Sequence, residues 1–381
     1  MIRHILRRLR FQWKLLSGGL PFYQQLLDRM YDIYLNHHRI IHWRDGYPVF
    51  SLSSPALFSP PMANFIARNF YGILQNRKLP NMMSFAITDQ CDLTCPQCSF
   101  ATVQDEENKT PLSFEECCQV IRGAQDMGVS VINLTGGEPM AFEKLDDLIR
   151  SIDKNISTVT MFTNGHQLEE RAGDLKRAGL DGIYVSIDAP TAGAHDELRG
   201  AEGIFDQAVK GVQAAKKAGL TVGFSVCAFP DSMKTKTLPG IIELGRSLKV
   251  HEITVFCAAP SGKLKDAREL DETDWIDEII SHSKRYSDDD CYPGVLIYPY
   301  NASWRSIGCS GGSRWFYVTP YGEIMPCDFN HYIAGTIREK PLHLIWDELS
   351  SIPPNQKTAW TGCKLRDADY RNGPWSEYVK P

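Results

Sequence analysis

No stretch of this chain approaches the ~20 continuous apolar residues that a membrane span requires, so no spanning helix is expected. The N-terminus lacks an apolar run followed by a small-residue cleavage site, which removes a secretory signal from the reading. A surplus of positive charge is missing too. The formal net charge is −5, whereas a nucleic-acid binder would carry a dominant basic face; no nucleic-acid partner is expected. The 11 cysteines are odd in number and spread over 381 residues, unlike the dense pairs of a small secreted scaffold. The chain therefore reads as cytoplasmic, with reduced thiols free to bind metal. Its length exceeds one ordinary core and predicts two or three units.

What is present begins with residues 1–80, which differ from the rest. Ile2, Ile5, Leu6, Leu9, Trp13 and Leu16 form an apolar stripe at helical spacing, beside a basic stripe of Arg3, Arg7, Arg10 and Lys14. Gly18, Gly19 and Pro21 end that helix, and a second pattern runs from Leu26 to Tyr34. Asp45-Gly46 between short apolar runs predicts a hairpin over 40–50, and a helix is expected near 62–76.

From about 82 to 258 the chain alternates strand and helix. The strands expected are Ser84–Thr88, Ser130–Leu134, Thr158–Phe162, Gly182–Ile187, Thr221–Val226 and Glu252–Phe256. Ser113 with Glu116 reads as a capping box opening one intervening helix. Six such strands imply right-handed parallel crossovers. With no dinucleotide fingerprint after the first strand, the array predicts an α/β fold of open or partial-barrel type, a partial (βα)6 TIM-like barrel. Chemistry in such barrels collects at the C-terminal ends of the strands.

Directly after the first strand stands Cys91-Asp92-Leu93-Thr94-Cys95-Pro96-Gln97-Cys98, followed by Phe100. Three thiolates in eight residues can wrap three corners of a [4Fe–4S] cubane and leave its fourth iron open. A structural zinc site would want four ligands in a closed tetrahedron, and no partner pair lies nearby. The C-x3-C-x2-C spacing resembles the signature of the radical S-adenosylmethionine (SAM) superfamily. Other strand ends agree with that resemblance. Thr135-Gly136-Gly137-Glu138-Pro139 is similar to the family's SAM-binding turn, where Glu138 would accept from the cationic amine. Thr163-Asn164-Gly165, then Ser186 and Asp188, then His195-Asp196-x-x-Arg199-Gly200 follow, and the resemblance implies that Arg199 pairs with the SAM carboxylate. Each of these alone is an ordinary turn or surface residue. The resemblance covers about residues 82–260.

The C-terminal part carries Cys309, then Phe316 to Cys327 around a Pro320-Tyr321-Gly322 turn that reads as a β-hairpin joining the two cysteines at its base. This resembles the family's SPASM and Twitch modules, which bind an auxiliary iron–sulfur cluster. Only Cys363 remains downstream, which favours the shorter Twitch form. The fourth ligand stays open among Cys291, Asp328, His331 and substrate. Cys117, Cys118, Cys227 and Cys257 read as core thiols. The units expected are a helical extension over 1–80, a radical SAM partial barrel over 81–285 and a small α+β cluster domain over 286–381.

The resemblance implies reductive cleavage of SAM to a 5′-deoxyadenosyl radical that abstracts hydrogen from substrate. It also implies a low-potential donor such as ferredoxin or flavodoxin. For the substrate two readings stand. The basic amphipathic helix of residues 1–17 would seat the enzyme on the inner membrane face, beside a lipid or isoprenoid. Alternatively the enzyme matures a ribosomally made peptide or dehydrogenates a small molecule. An iron–sulfur electron carrier or redox sensor is the reading without catalysis.

Overall fold

The computed structural model describes residues 39–100, 109–286, 289–303, 306–352, 363–367 and 370. The amphipathic helices expected within 1–38, and the membrane contact expected of residues 1–17, lie outside them. The first described elements are β1 (His42–Arg44) and β2 (Tyr47–Val49), paired antiparallel. Asp45 and Gly46 between them have φ of 51° and 81°, the left-handed pair that a two-residue hairpin turn demands. Helix α1 (Pro60–Leu74) starts two residues before the expected position, because Ser59 accepts from Met62 N and Pro60 supplies a preset φ.

The alternation then runs β3 (Met82–Ala86), α2 (Phe114–Asp126), β4 (Val131–Thr135), α3 (Leu145–Arg150), β5 (Thr158–Thr163), α4 (Leu168–Ala178) and β6 (Gly182–Ser186). It continues through α5 (Ala192–Arg199), α6 (Ile204–Lys217), β7 (Thr221–Ala228), α7 (Thr237–Leu248), β8 (Glu252–Cys257), α8 (Asp274–Ser283), β9 (Gly294–Ile297) and α9 (Tyr298–Asn301). The capping box at α2 forms as its sequence dictates, with Ser113 and Glu116 bonded reciprocally. The C-terminal elements are β10 (Trp315–Val318), β11 (Glu323–Met325), β12 (Gly335–Thr336) and α10 (Leu342–Ser351).

All strands from β3 onward share one 10-stranded sheet in the order β12-β11-β10-β3-β4-β5-β6-β7-β8-β9. The six expected parallel strands are present, and two more extend them. β9 pairs parallel with β8, and β10 pairs parallel with β3, Trp315 opposite Met82. The boundary expected near residue 285 therefore falls within the sheet, and the C-terminal hairpin is an extension of the barrel edge. Such pairing across more than 200 residues leaves no local trace in the sequence.

Side chains alternate along each strand. Phe85, Ile132, Leu134, Val159, Met161, Ile183, Val185, Val222, Phe224, Ile253 and Val255 turn to the helix layer and are at most 3% exposed, within the main core. Each such burial contributes roughly 1.5–3 kcal/mol. The opposite, inner face carries Ser84, Asn133, Thr160, Phe162, Tyr184, Ser225, Thr254 and Phe256 instead. At the N-terminal end of this face Leu52 acts as a plug. A Cβ on Gly182 or Gly223 would come within 2.4 Å or 2.5 Å of the Leu52 methyls, so the two glycines leave the room that the plug fills. The Glu252 carboxylate holds the plug through Leu52 N at 2.6 Å and Ser51 Oγ at 2.8 Å. No helix among the described residues is long and apolar enough to cross a membrane.

Candidate active site

The loop of Cys91, Cys95 and Cys98 leaves the C-terminal end of β3 and is gripped from several strand ends. After β4, Gly137 N donates to Thr88 O at 3.0 Å and Glu138 N to Gln90 O at 2.7 Å. A Cβ on Gly137 would stand 2.0 Å from Gln90 O, so the double glycine is required by backbone meeting backbone. After β5, Asn164 Nδ2 donates to Asp92 at 2.7 Å, and the His166 ring contacts the same carboxylate. After β6, Asp188 accepts from Gln97 Nε2 at 2.8 Å. After β8, Lys263 Nζ donates to the carbonyls of Thr94 and Cys95 at 3.2 Å and 3.0 Å. Cys91 is exposed, and Cys95 and Cys98 are half-buried.

Asp188 is the hub on the far side of the loop. Besides Gln97 it accepts from Cys227 N at 2.8 Å and pairs with Arg199 Nη2 at 2.6 Å. Arg199, at the last turn of α5, sets Nη1 3.8 Å from Cys95 Sγ. The resemblance assigned Arg199 to a ligand carboxylate; its protein partner here is Asp188, while its Nε is buried without a partner. Gln97 Oε1 is likewise buried and unpartnered. His195 is fully buried and accepts from Asp188 N at 3.2 Å. Burial, with the Arg199 charge beside it, lowers its pKa to about 4. Asp196 accepts from Gly203 N and Phe205 N and so fixes the entry to α6.

Glu138 is 4% exposed and already holds three protein donors: Met140 N at 3.1 Å, Thr163 Oγ1 at 2.8 Å and Asn164 N at 2.8 Å. Burial raises its pKa to about 7 against those bonds. Its evident task is to lock the β4 and β5 loops together, with Gly136 beside it packed on Thr88. Ser186, half-buried at the end of β6, shares the inner face with Tyr184 and lies opposite Ser225.

The second group assembles on the extended edge. Cys309 precedes β10 and Cys327 follows β11. A Cβ on Gly311 would sit 3.7 Å from Cys327 Sγ, and Gly312 N donates to Pro326 O at 3.0 Å. Burial, reinforced by Asp328, Cys309 and Cys363, pushes the Cys327 thiol well up. Burial and Cys309 push Cys363 to about 11. Asp328 is half-buried, its Oδ1 is buried without a partner, and desolvation raises its pKa to about 7. Cys309, Cys363 and Asp328 thus lie within electrostatic reach of Cys327. His331 bonds instead with the backbone near Asp328 and Ser99. Cys291 is exposed, its N–H donating to Asp289 beyond α8, and does not join them.

Among the described residues no three His, Cys, Asp or Glu side chains gather tightly enough to hold a single metal ion. The fit to iron–sulfur clusters rests on the donors: three soft thiols on a pinned loop, and three more around one hairpin. Cys117, Cys118 and Cys257 are buried core thiols, as expected; Cys227 is half-buried. The rings of Phe162, Tyr184, Phe256, Tyr298 and Phe329 form one connected chain that starts on the inner face of the sheet. Phe162 stacks on Tyr184 at 4.3 Å, and Phe256 lies 5.0 Å from Tyr298 and 6.4 Å from Phe329. Sequence reasoning missed Asp92, Gln97, Lys263 and Tyr298. The first two stand inside the cysteine motif, where their polarity was the available signal.

Residues 85–244 match the radical SAM superfamily, and residues 309–364 match SPASM, an iron–sulfur cluster-binding domain. The AdoMet-dependent heme synthase of Methanosarcina barkeri is 26% identical over 70% of this chain and 82% of its own. The PqqA peptide cyclase of Rhizobium meliloti is 28% identical over 77% and 82%. Among solved structures, Streptococcus suis SuiB bound to S-adenosylmethionine superposes with a TM-score of 0.57. It is 17% identical, covering 74% of this chain and 69% of that one, and so speaks for the fold alone.

Proposed function

Because the chain is a radical SAM enzyme with a C-terminal SPASM domain, we propose that Cys91, Cys95 and Cys98 hold its SAM-binding [4Fe–4S] cluster, and that Cys309, Cys327 and Cys363 hold the auxiliary one. The pinned cysteine loop carries this reading, with Arg199 Nε and Gln97 Oε1 left unpartnered beside it. The loaded cluster supplies one-electron cleavage of SAM to methionine and a 5′-deoxyadenosyl radical that takes a hydrogen atom from substrate. The protein's own residues bind and orient. Arg199 Nε would donate to the SAM carboxylate while Asp188 fixes the guanidinium. Gly136, Gly137 and Glu138 set the turn that flanks the amine, and Asn164 and Ser186 offer polar groups at the next strand ends. The Leu52 plug closes the N-terminal end of the inner face against water. A low-potential donor such as ferredoxin or flavodoxin supplies the electron, in the cytoplasm.

For the substrate we favour a molecule whose reacting part is flat and conjugated. The connected rings from Phe162 to Phe329 would stack on such a part, and one curated relative is a heme synthase. The lipid reading rested on residues 1–17 and has no support from the named relatives. The test is 5′-deoxyadenosine release from the anaerobically reconstituted, reduced protein offered a porphyrin, a tyrosine-containing peptide or a lipid extract. Stimulation by the porphyrin, lost in Phe256→Ala at unchanged iron content, is expected. Stimulation by the peptide alone would move the substrate to the peptide class, as in the PqqA peptide cyclase. Stimulation by lipid alone would contradict the reading.

A further inference from the structure

We infer that Arg366 is a positioning residue for the auxiliary cluster: a buried cation with no carboxylate partner that raises the cluster's reduction potential. The inference rests on the reading that Cys309, Cys327 and Cys363 hold that cluster.

Arg366 closes the short 3-10 turn Lys364–Arg366 that follows Cys363, and its N–H donates to Cys363 O at 3.1 Å. The side chain is 7% exposed. Nη1 donates to Leu270 O at 2.5 Å, and Nη2 to Cys257 O at 3.0 Å and to Ala258 O. The guanidinium lies 5.3 Å from the Trp275 ring centre, and Nε has no partner. Its described partners are thus three carbonyls and a ring, and among the described residues no carboxylate pairs with it. Two consequences follow. The carbonyls tie the Cys363 turn to the end of β8, which fixes where that thiol sits. They do not neutralise the charge, which stays on the turn that follows Cys363.

Burying an unpaired charge is costly, and the cost is recovered when negative charge arrives nearby. Reducing a thiolate-ligated cluster adds one negative charge, and net charge around a cluster is a known lever on its potential. The other charged groups nearby do not cancel this. Lys364, on the same turn, places its ammonium 5.8 Å from the Tyr370 ring, and its field falls on Lys78. Asp328, from the hairpin side, is the opposing group, and it is the same in every variant compared below.

The test uses the full chain with Cys91→Ala, Cys95→Ala and Cys98→Ala, so that only C-terminal iron remains. Its potential is measured by dithionite titration followed by electron paramagnetic resonance, with iron counted in parallel. In that background Arg366→Met and Arg366→Gln remove the charge, and Arg366→Lys keeps it. We expect the neutral variants to keep their iron and to be about tenfold less reduced at a given potential, a shift of about 59 mV to the negative for one electron. Arg366→Lys should stay near the parent. Equal potentials in all four proteins would overturn the inference. So would loss of iron in both neutral variants, which would leave Arg366 as scaffolding only. A parent without C-terminal iron would contradict the auxiliary-cluster reading itself and remove the inference with it.

Discussion

Arg199 pairs with Asp188 at 2.6 Å through Nη2 and sets its own Nη1 3.8 Å from a cluster-loop thiol, Cys95 Sγ. The pair is deeply buried, at 14% and 2% side-chain exposure. Removing one partner of such a pair leaves the other uncompensated and costs about 3–5 kcal/mol. Asp188→Asn should therefore lower unfolding stability by about 3 kcal/mol, read as a drop in the urea midpoint. Asp188→Asn with Arg199→Met should recover much of it, since both charges are then gone. A single variant within about 0.5 kcal/mol of wild type, the range of an ordinary surface change, would show that the pair does not hold the loop.

The double glycine after β4 yields a steric prediction. A Cβ on Gly137 meets Gln90 O at 2.0 Å and Gln90 C at 2.5 Å, both backbone atoms of the cysteine loop's approach. Gly137→Ala must shift one of the two loops and should abolish deoxyadenosine formation. Gly193 in α5 has nothing within 4 Å of its would-be Cβ. Gly193→Ala should be neutral or stabilise by up to about 1 kcal/mol. Equal activity in the two variants would contradict the close approach.

Glu138 gives the pH dependence. Its folded pKa of about 7 lies above the ordinary value of 4.5 because burial disfavours the carboxylate. The unfolded chain loses this proton first as pH rises. The contribution is therefore fully present below about pH 4.5, falls as pH rises toward 7 and is lost above it. In the metal-free protein, Glu138→Gln should flatten the fall of thermal stability across that window. An unchanged slope would assign the dependence to other groups.

Local patterns in the sequence reached far into this fold. The Asp45-Gly46 turn, the Ser113–Glu116 capping box and the six strand positions all depend on neighbours in sequence, and each formed within about two residues of expectation. The cysteine spacing likewise placed the loop at the end of β3. Hidden from the sequence were relations set by tertiary packing. The pairing of β10 with β3 joins Trp315 to Met82, and nothing local distinguishes that edge from an independent hairpin. Glu138 carried a polar side chain at the right strand end, but its three donors come from two different loops. Arg366 stood three residues past an expected ligand, and only its burial against the end of β8 reveals a role.

The assignment proposed above gives the iron that cleaves SAM to the first three cysteines. It is tested most directly by 5′-deoxyadenosine release from anaerobically reconstituted, dithionite-reduced protein, compared with the Cys91→Ala, Cys95→Ala, Cys98→Ala variant. Release by the wild type and none by the variant, with its C-terminal iron retained, is the predicted result. Equal release by the two proteins would contradict it.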